Sequence, residues 1–323
     1  QILASDSNAL EAIKLIAKSF LSTNKIEDAR LYLNRALKIK SDDSEVLKDL
    51  GNTYLAIGDN NTAKNYFQKA IEINSSYAPA LTNLGMIELK AGNKQEALSL
   101  QIQATEADPQ LANAWGNLAL IYVQLEKTQN AEDACKKAII LNPTLFSAHY
   151  LLAKILISQK KLIDAEQSLR KTIELKPDFF QAHFLLSTIL IEQNKLQEAE
   201  LSIRKAIVLQ PNLAEGHNNL GGLLRDLYKP KEAEISLRKA IELKPGFAQA
   251  HNNLGNVLRD LYKPKEAEIS LRKAIQLNPD FAPAHNNLGT ILKDLGNLQE
   301  AELSTRKALA LNPQFSEAHF NLG

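Results

Sequence analysis

Read for its apolar and polar positions, the chain repeats with a period of 34 residues. With slots numbered 1 to 34, slot 1 falls on Leu10, Ser44, Ala78, Ala112, Phe146, Phe180, Ala214, Ala248 and Ala282, and no frame carries an insertion or deletion. Apolar residues at slots 4, 7, 8 and 11 follow the three-four spacing of one buried helical stripe. Slots 20, 24, 27 and 28 predict a second helix in the same way, and slot 20 is alanine in every frame, from Ala29 to Ala301. Turn-forming residues separate the two, as in Gly92-Asn93 and Gly296-Asn297. Pro230 and Pro264 stand where the second helix begins, a position at which the missing N–H costs little. From Pro109 onward slot 32 is proline, which closes the second helix.

Self-similarity at this period predicts an all-α fold: a right-handed superhelical solenoid of 34-residue helix-turn-helix repeats. The expected organisation is a flank over 1–9, then nine repeats at 10–43, 44–77, 78–111, 112–145, 146–179, 180–213, 214–247, 248–281 and 282–315. The start of a truncated tenth repeat occupies 316–323.

Trp115, Leu118, Tyr122, Ala131, Ala138 and Pro143 fit the pattern W-x2-L-G-x2-Y followed by A, F, A and P, with Cys135 in the Phe position. Asn253-Leu254-Gly255 with Ala267, Ala274 and Pro279 fit it again. From Leu10 to Gly323 the chain thus resembles the tetratricopeptide repeat (TPR) family. Its AHNNLG-type frames look most like the arrays that precede the catalytic domain of O-GlcNAc transferases, and like bacterial arrays attached to glycosyl- or methyltransferases. Two kinds of departure stand out. Tyr228 and Tyr262 replace the usual turn glycine, and Gln101 and Thr305 replace a large apolar residue at slot 24.

The composition removes several function classes. A net charge of +1 gives no electrostatic reason to seek nucleic acid or an anionic membrane, which also weakens a reading as an RNA-binding helical array. One cysteine excludes an internal disulfide framework. No apolar run reaches about 18 residues, so no transmembrane helix is expected, and with no visible signal peptide the expected location is cytoplasmic. A start at Gln1 and a stop at Gly323 within a frame predict a piece of something longer.

The residues that could carry chemistry are better read as packing. All six histidines (His149, His183, His217, His251, His285 and His319) occupy slot 4, where earlier frames carry Ile13, Leu47, Leu81 and Trp115. Ligands to one zinc ion converge to within about 2.1 Å of it. Neighbouring helices lie about 8–10 Å apart, so buried, neutral histidines are expected rather than a metal site. Cys135 shares slot 24 with Leu33, Phe67 and Leu169, which predicts an inert buried thiol. Six acid–base pairs at slots 21 and 25, from Glu132/Lys136 to Glu302/Arg306, read as a solvated outer face.

The family resemblance implies that slots 2, 5, 6, 9, 12 and 13 line the concave surface, where ligands bind. Slot 6 carries Asn83, Asn117, Asn219, Asn253, Asn287 and Asn321. Late frames add Arg225, Asp226, Arg259, Asp260, Lys293 and Asp294 at slots 12 and 13. Earlier frames instead offer an apolar patch of Tyr150, Leu151, Ile157, Phe184, Leu185 and Ile191. The expected function is a protein-interaction module that grips an extended peptide segment in its groove, with no cofactor and no catalysis of its own. The alternative is the substrate-recruiting arm of a larger glycosyl- or methyltransferase.

Overall fold

The structure, a computed structural model, describes residues 2–322 and the side chains of 9–322. Among these residues every regular element is an α-helix. They form two compact units, Gln1–Ser168 and Leu169–Gly323. The first holds α1 (Ile2–Ser22), α2 (Ile26–Ile39), α3 (Ser44–Ala56), α4 (Asn60–Ile73), α5 (Ala78–Lys90), α6 (Lys94–Ala107), α7 (Ala112–Gln124), α8 (Thr128–Leu141) and α9 (Phe146–Ser158). The boundary falls within α10 (Leu162–Leu175). The second unit holds α11 (Phe180–Glu192), α12 (Leu196–Leu209), α13 (Ala214–Asp226), α14 (Pro230–Leu243), α15 (Ala248–Asp260), α16 (Pro264–Leu277), α17 (Ala282–Asp294), α18 (Leu298–Leu311) and α19 (Ser316–Leu322).

Each helix from α1 to α8 packs on its successor, as does each from α11 to α18. Odd-numbered helices also touch, α5 with α7 and α7 with α9 in the first unit, and α13 with α15, α15 with α17 and α17 with α19 in the second, as in a solenoid of stacked helix pairs. Helix α1 starts at Ile2, ahead of the first frame, and continues into it. Gln1 and Gly323 lie outside the described residues.

Close approach of the two helices in a repeat follows from small residues. The slot-20 alanines are fully buried in eight frames, and Ala301 is 7% exposed. At slot 8 the space beside a glycine is taken by the slot-24 side chain; a Cβ on Gly51 would lie 2.5 Å from the Phe67 ring. The two polar departures at slot 24 each donate hydrogen bonds, although the Gln101 amide oxygen is buried without a partner. Gln101, fully buried, donates from Nε2 to the Ala114 carbonyl at 3.1 Å and to Thr82 Oγ1 at 3.3 Å. Thr305 donates to the Ala301 carbonyl at 3.0 Å.

A single turn geometry recurs between the paired helices. Slot 15 has positive φ in all nine frames, at Asn24, Gly58, Gly92, Glu126, Lys160, Asn194, Tyr228, Tyr262 and Gly296. Only three of these are the glycine that such a conformation favours.

The slot-4 histidines depart from expectation. Only His183 is buried; His149, His217, His251 and His285 are half-buried, and His319 is exposed. Each ring instead faces the loop before its helix. Nε2 lies 2.8–3.1 Å from a proline carbonyl six residues earlier: Pro143, Pro177, Pro211, Pro245, Pro279 and Pro313. Trp115 makes the same contact, donating from Nε1 to the Pro109 carbonyl at 3.0 Å. The ring must stay at the edge of the packing to reach that carbonyl, which keeps it partly in water. The contact accompanies a pairing in the sequence: slot 32 becomes proline in the frame just before slot 4 becomes Trp or His.

Candidate functional site: the asparagine-lined face of the second unit

The helices α13, α15, α17 and α19 present one face on which asparagines recur at slots 5 and 6. Asn218, Asn252 and Asn286 at slot 5 are 2%, 5% and 2% exposed. Asn219, Asn253, Asn287 and Asn321 at slot 6 are half-buried. Together they form a hydrogen-bonded zipper between repeats. Asn253 Nδ2 donates to Asn218 Oδ1 at 3.0 Å, Asn287 to Asn252 at 2.9 Å and Asn321 to Asn286 at 2.9 Å. Within a repeat, Asn218 and Asn252 donate in turn to Asn219 and Asn253 at 3.2 and 3.4 Å. The slot-6 amides are therefore not free groups awaiting a ligand. An amide nitrogen has two hydrogens and its oxygen two lone pairs, so each retains capacity for a further bond. The sequence pattern singled out slot 6; the buried slot-5 partners, visible as the doubled asparagine of HNN, do the joining.

Beside the zipper lies a charged row. Arg225 Nε contacts Asp260 Oδ2 of the next repeat at 2.6 Å. Arg259 reaches the same carboxylate only at 3.9 Å. Asp260 is thus already engaged, and the Arg259 side chain remains 33% exposed. Asp226, Lys293 and Asp294 are exposed. A groove of about 770 Å³ runs here, lined by Arg225, Asn256, Arg259, Asn287, Phe315 and Phe320 among others.

In the first unit, Asn83 Nδ2 donates to Asn52 Oδ1 of the preceding repeat at 2.8 Å, and Asn117 is half-buried. The apolar patch is not an exposed surface in either unit. Leu151 is a member of the core around Cys135 and Ile155, with Tyr150 and Ile157 half-buried near it in sequence. Phe184, Leu185 and Ile191 are likewise half-buried. Apolar side chains on these helices gain more from neighbouring helices than from facing water, which draws them into packing.

Two of the acid–base pairs differ from a solvated face, whereas Glu302 and Arg306 are 55% and 62% exposed as such a face requires. Glu132 is 4% and Glu166 8% exposed. Lys136 at 2.5 Å and Gln159 hydrogen-bond the Glu132 carboxylate and hold its pKa at about 2. In the second unit the slot-25 arginine joins two repeats. Arg238 contacts Glu234 at 2.8 Å in its own helix and Glu266 of the next at 3.1 Å. Arg204 and Arg272 do the same with Glu232 and Glu300. Cys135 is fully buried, and that burial pushes its thiol up to about 12, which leaves it protonated and unreactive at neutral pH. Among the described residues no helix is long and apolar enough to cross a membrane.

These observations fit what known proteins show. The family model of the Cilia and flagella-associated protein 70 C-terminal domain matches residues 43–256, and tetratricopeptide-repeat models match 248–281 and 282–315. Comparison with curated proteins finds no match. Among solved structures, YrrB is 25% identical with a TM-score of 0.51, covering 57% of this chain and 95% of its own. Pseudomonas aeruginosa pilF is 19% identical with a TM-score of 0.59, covering 64% of this chain and 94% of its own. A chain of the APC/C hetero-tetramer Cut9-Hcn1 is 18% identical with a TM-score of 0.56, covering 92% of this chain and 58% of its own. The chain belongs to the tetratricopeptide-repeat family, whose repeats generally build non-catalytic protein-interaction scaffolds.

Proposed function

We propose that the face of α13, α15, α17 and α19 holds an extended segment of a partner protein. The observation that carries this reading is Arg259. Its side chain is a third exposed and lines a groove, and the nearest carboxylate already serves Arg225. The slot-6 asparagines beside it offer amides that match the N–H and C=O of a peptide unit. In this reading they supply sequence-independent affinity, while Arg225, Asp226, Arg259, Asp260, Lys293 and Asp294 select the sequence. The solved structure of YrrB, described as a TPR protein with an unusual peptide-binding site, supports peptide binding by a chain of this kind.

The test begins with proteins retained by the immobilised chain, followed by peptide mapping of the bound region. The mapped peptide is then titrated against wild type, Arg259→Ala and Asn287→Ala, with thermal melts as control. Arg259→Ala should weaken binding by about 1.5–3 kcal/mol, the range for hydrogen bonds to a charged group. Unchanged affinity in both variants would place the peptide elsewhere.

A further inference from the structure

On the outer side of the second unit, the helices α12, α14, α16 and α18 share an exposed pattern that the concave face does not use. Slot 22 carries Leu201, Ile235, Ile269 and Leu303, which are 72%, 71%, 71% and 67% exposed. One helical turn later, at slot 26, stand Lys205, Lys239, Lys273 and Lys307. Residues four apart share a helix face, so each helix presents an apolar side chain with an ammonium beside it. The four frames from 44 to 179 do otherwise, with Asn65, Ser99, Asp133 and Gln167 at slot 22, whereas the first frame has Leu31, 51% exposed, with Arg35 at slot 26. Burial is not the reason for the change, because the residues in question face water.

The pattern continues into grooves. Ile269 and Lys273 stand at a groove of about 970 Å³ whose apolar lining includes Ile241, Leu254 and Leu258. Leu201 and Lys205 occupy the same slots at a groove of about 440 Å³ that includes Ile173 and Leu186. The larger groove also contains two acids, both neutralised within the chain: Glu266 contacts Arg238 at 3.1 Å, and Glu242 contacts Lys239 at 2.6 Å. Lys273 differs. Where Lys239 has Glu242, Lys273 has the amide oxygen of Gln276 at 2.9 Å. Lys205 and Lys307 carry no ion pair among the described residues. Three of the four ammonium groups are thus left without a carboxylate.

We propose that this outer face is a second interaction surface, and that it takes an acidic amphipathic segment of another protein. An apolar side chain of the partner enters the groove at Ile241, Leu254 and Leu258, and a carboxylate next to it meets Lys273. The charge left unneutralised sets the sign of the partner. The apolar floor sets its amphipathic character.

The probe is a fluorescent helical peptide with leucines along one side and glutamates flanking them. A peptide with lysines in place of the glutamates is the control. Fluorescence anisotropy at low salt reads binding to the whole chain. The acidic peptide should bind at least tenfold more tightly than the basic one. Binding should fall at least tenfold in the variant Leu201→Ser, Ile235→Ser, Ile269→Ser, Leu303→Ser, whose four sites are exposed. It should fall at least as far in Lys205→Glu, Lys239→Glu, Lys273→Glu, Lys307→Glu. Arg259→Ala on the opposite face should leave it unchanged. No binding of the acidic peptide, equal binding of both peptides, or full binding by the serine variant overturns the proposal. So does concentration-dependent dimerisation of wild type, in sedimentation, that the serine variant abolishes, because the face would then belong to a second copy of the chain.

Discussion

At Gly255 the two helices of one repeat come so close that an added Cβ would lie 2.6 Å from Leu271. Gly255→Ala should therefore overpack the repeat and cost about 1–3 kcal/mol in thermal or urea unfolding. Leu271→Ala in the same chain should lessen the penalty of the alanine, because it removes the atoms met. A second residue-scale effect concerns acid. Burial lowers the pKa of His251 from its ordinary 6.5. The unfolded chain then takes up its proton first, so the contribution of this group is present above about pH 6.5 and is lost as pH falls through the folded value. Comparison of unfolding midpoints at pH 7.5 and pH 5 should show a smaller acid loss in His251→Phe than in wild type. An equal loss would assign the acid sensitivity to other groups. Much at this scale was legible in advance, including the slot-20 alanines and the buried Cys135, because volume and hydropathy leave a periodic mark. The direction of a polar side chain leaves none. The histidine contact with a loop carbonyl and the pairing of Asn253 with Asn218 each depend on a partner that the pattern alone does not point to.

Among elements, the turn within each repeat is set by slot 15, and there the sequence misleads. Glycine appears at Gly58, Gly92 and Gly296, yet Tyr228 and Tyr262 hold φ of 59° in the same place. A left-handed conformation costs a residue with a Cβ roughly 1–2 kcal/mol. Gly92→Ala should lose about 1 kcal/mol of stability, since no atom lies within 4 Å of the added methyl and only the backbone cost remains. Tyr228→Gly, checked by the same thermal melts, should lose nothing. A destabilised Tyr228→Gly would mean that the tyrosine ring, 93% exposed, contributes something the turn does not need. The helices are also joined across repeats by the slot-25 arginines. That joining was hidden because Glu234 and Arg238 already satisfy the within-helix spacing, while Glu266 lies in the next frame. Exposed pairs of this kind contribute up to about 1 kcal/mol and weaken with salt.

On the scale of the whole molecule, each helix depends on its near neighbours, so stability should behave as a sum of repeat and interface terms. Ala199→Arg, at a position fully buried in the structure, should break one such interface and cost a few kcal/mol, roughly. Unfolding should then separate into two transitions, with hydrogen exchange showing residues before the break still protected. A single transition with an unchanged midpoint would contradict this picture. The fold class was legible at this scale because the period is unbroken from Leu10 to Phe315. The candidate site was legible only as a row of asparagines, and its function depends on a partner that the chain does not contain.

The asparagine zipper bears on how such a chain changes over time. Asn253 meets Asn218 as Asn287 meets Asn252, residue for residue across one frame. Excision of 248–281 would set Asn287 against Asn218 and remake the bond that Asn253 makes now. A duplication or loss of one whole frame therefore leaves behind no foreign seam, whereas a slip of a single residue would misalign every frame after it. The zipper thus fixes the size of the unit but not the number of units.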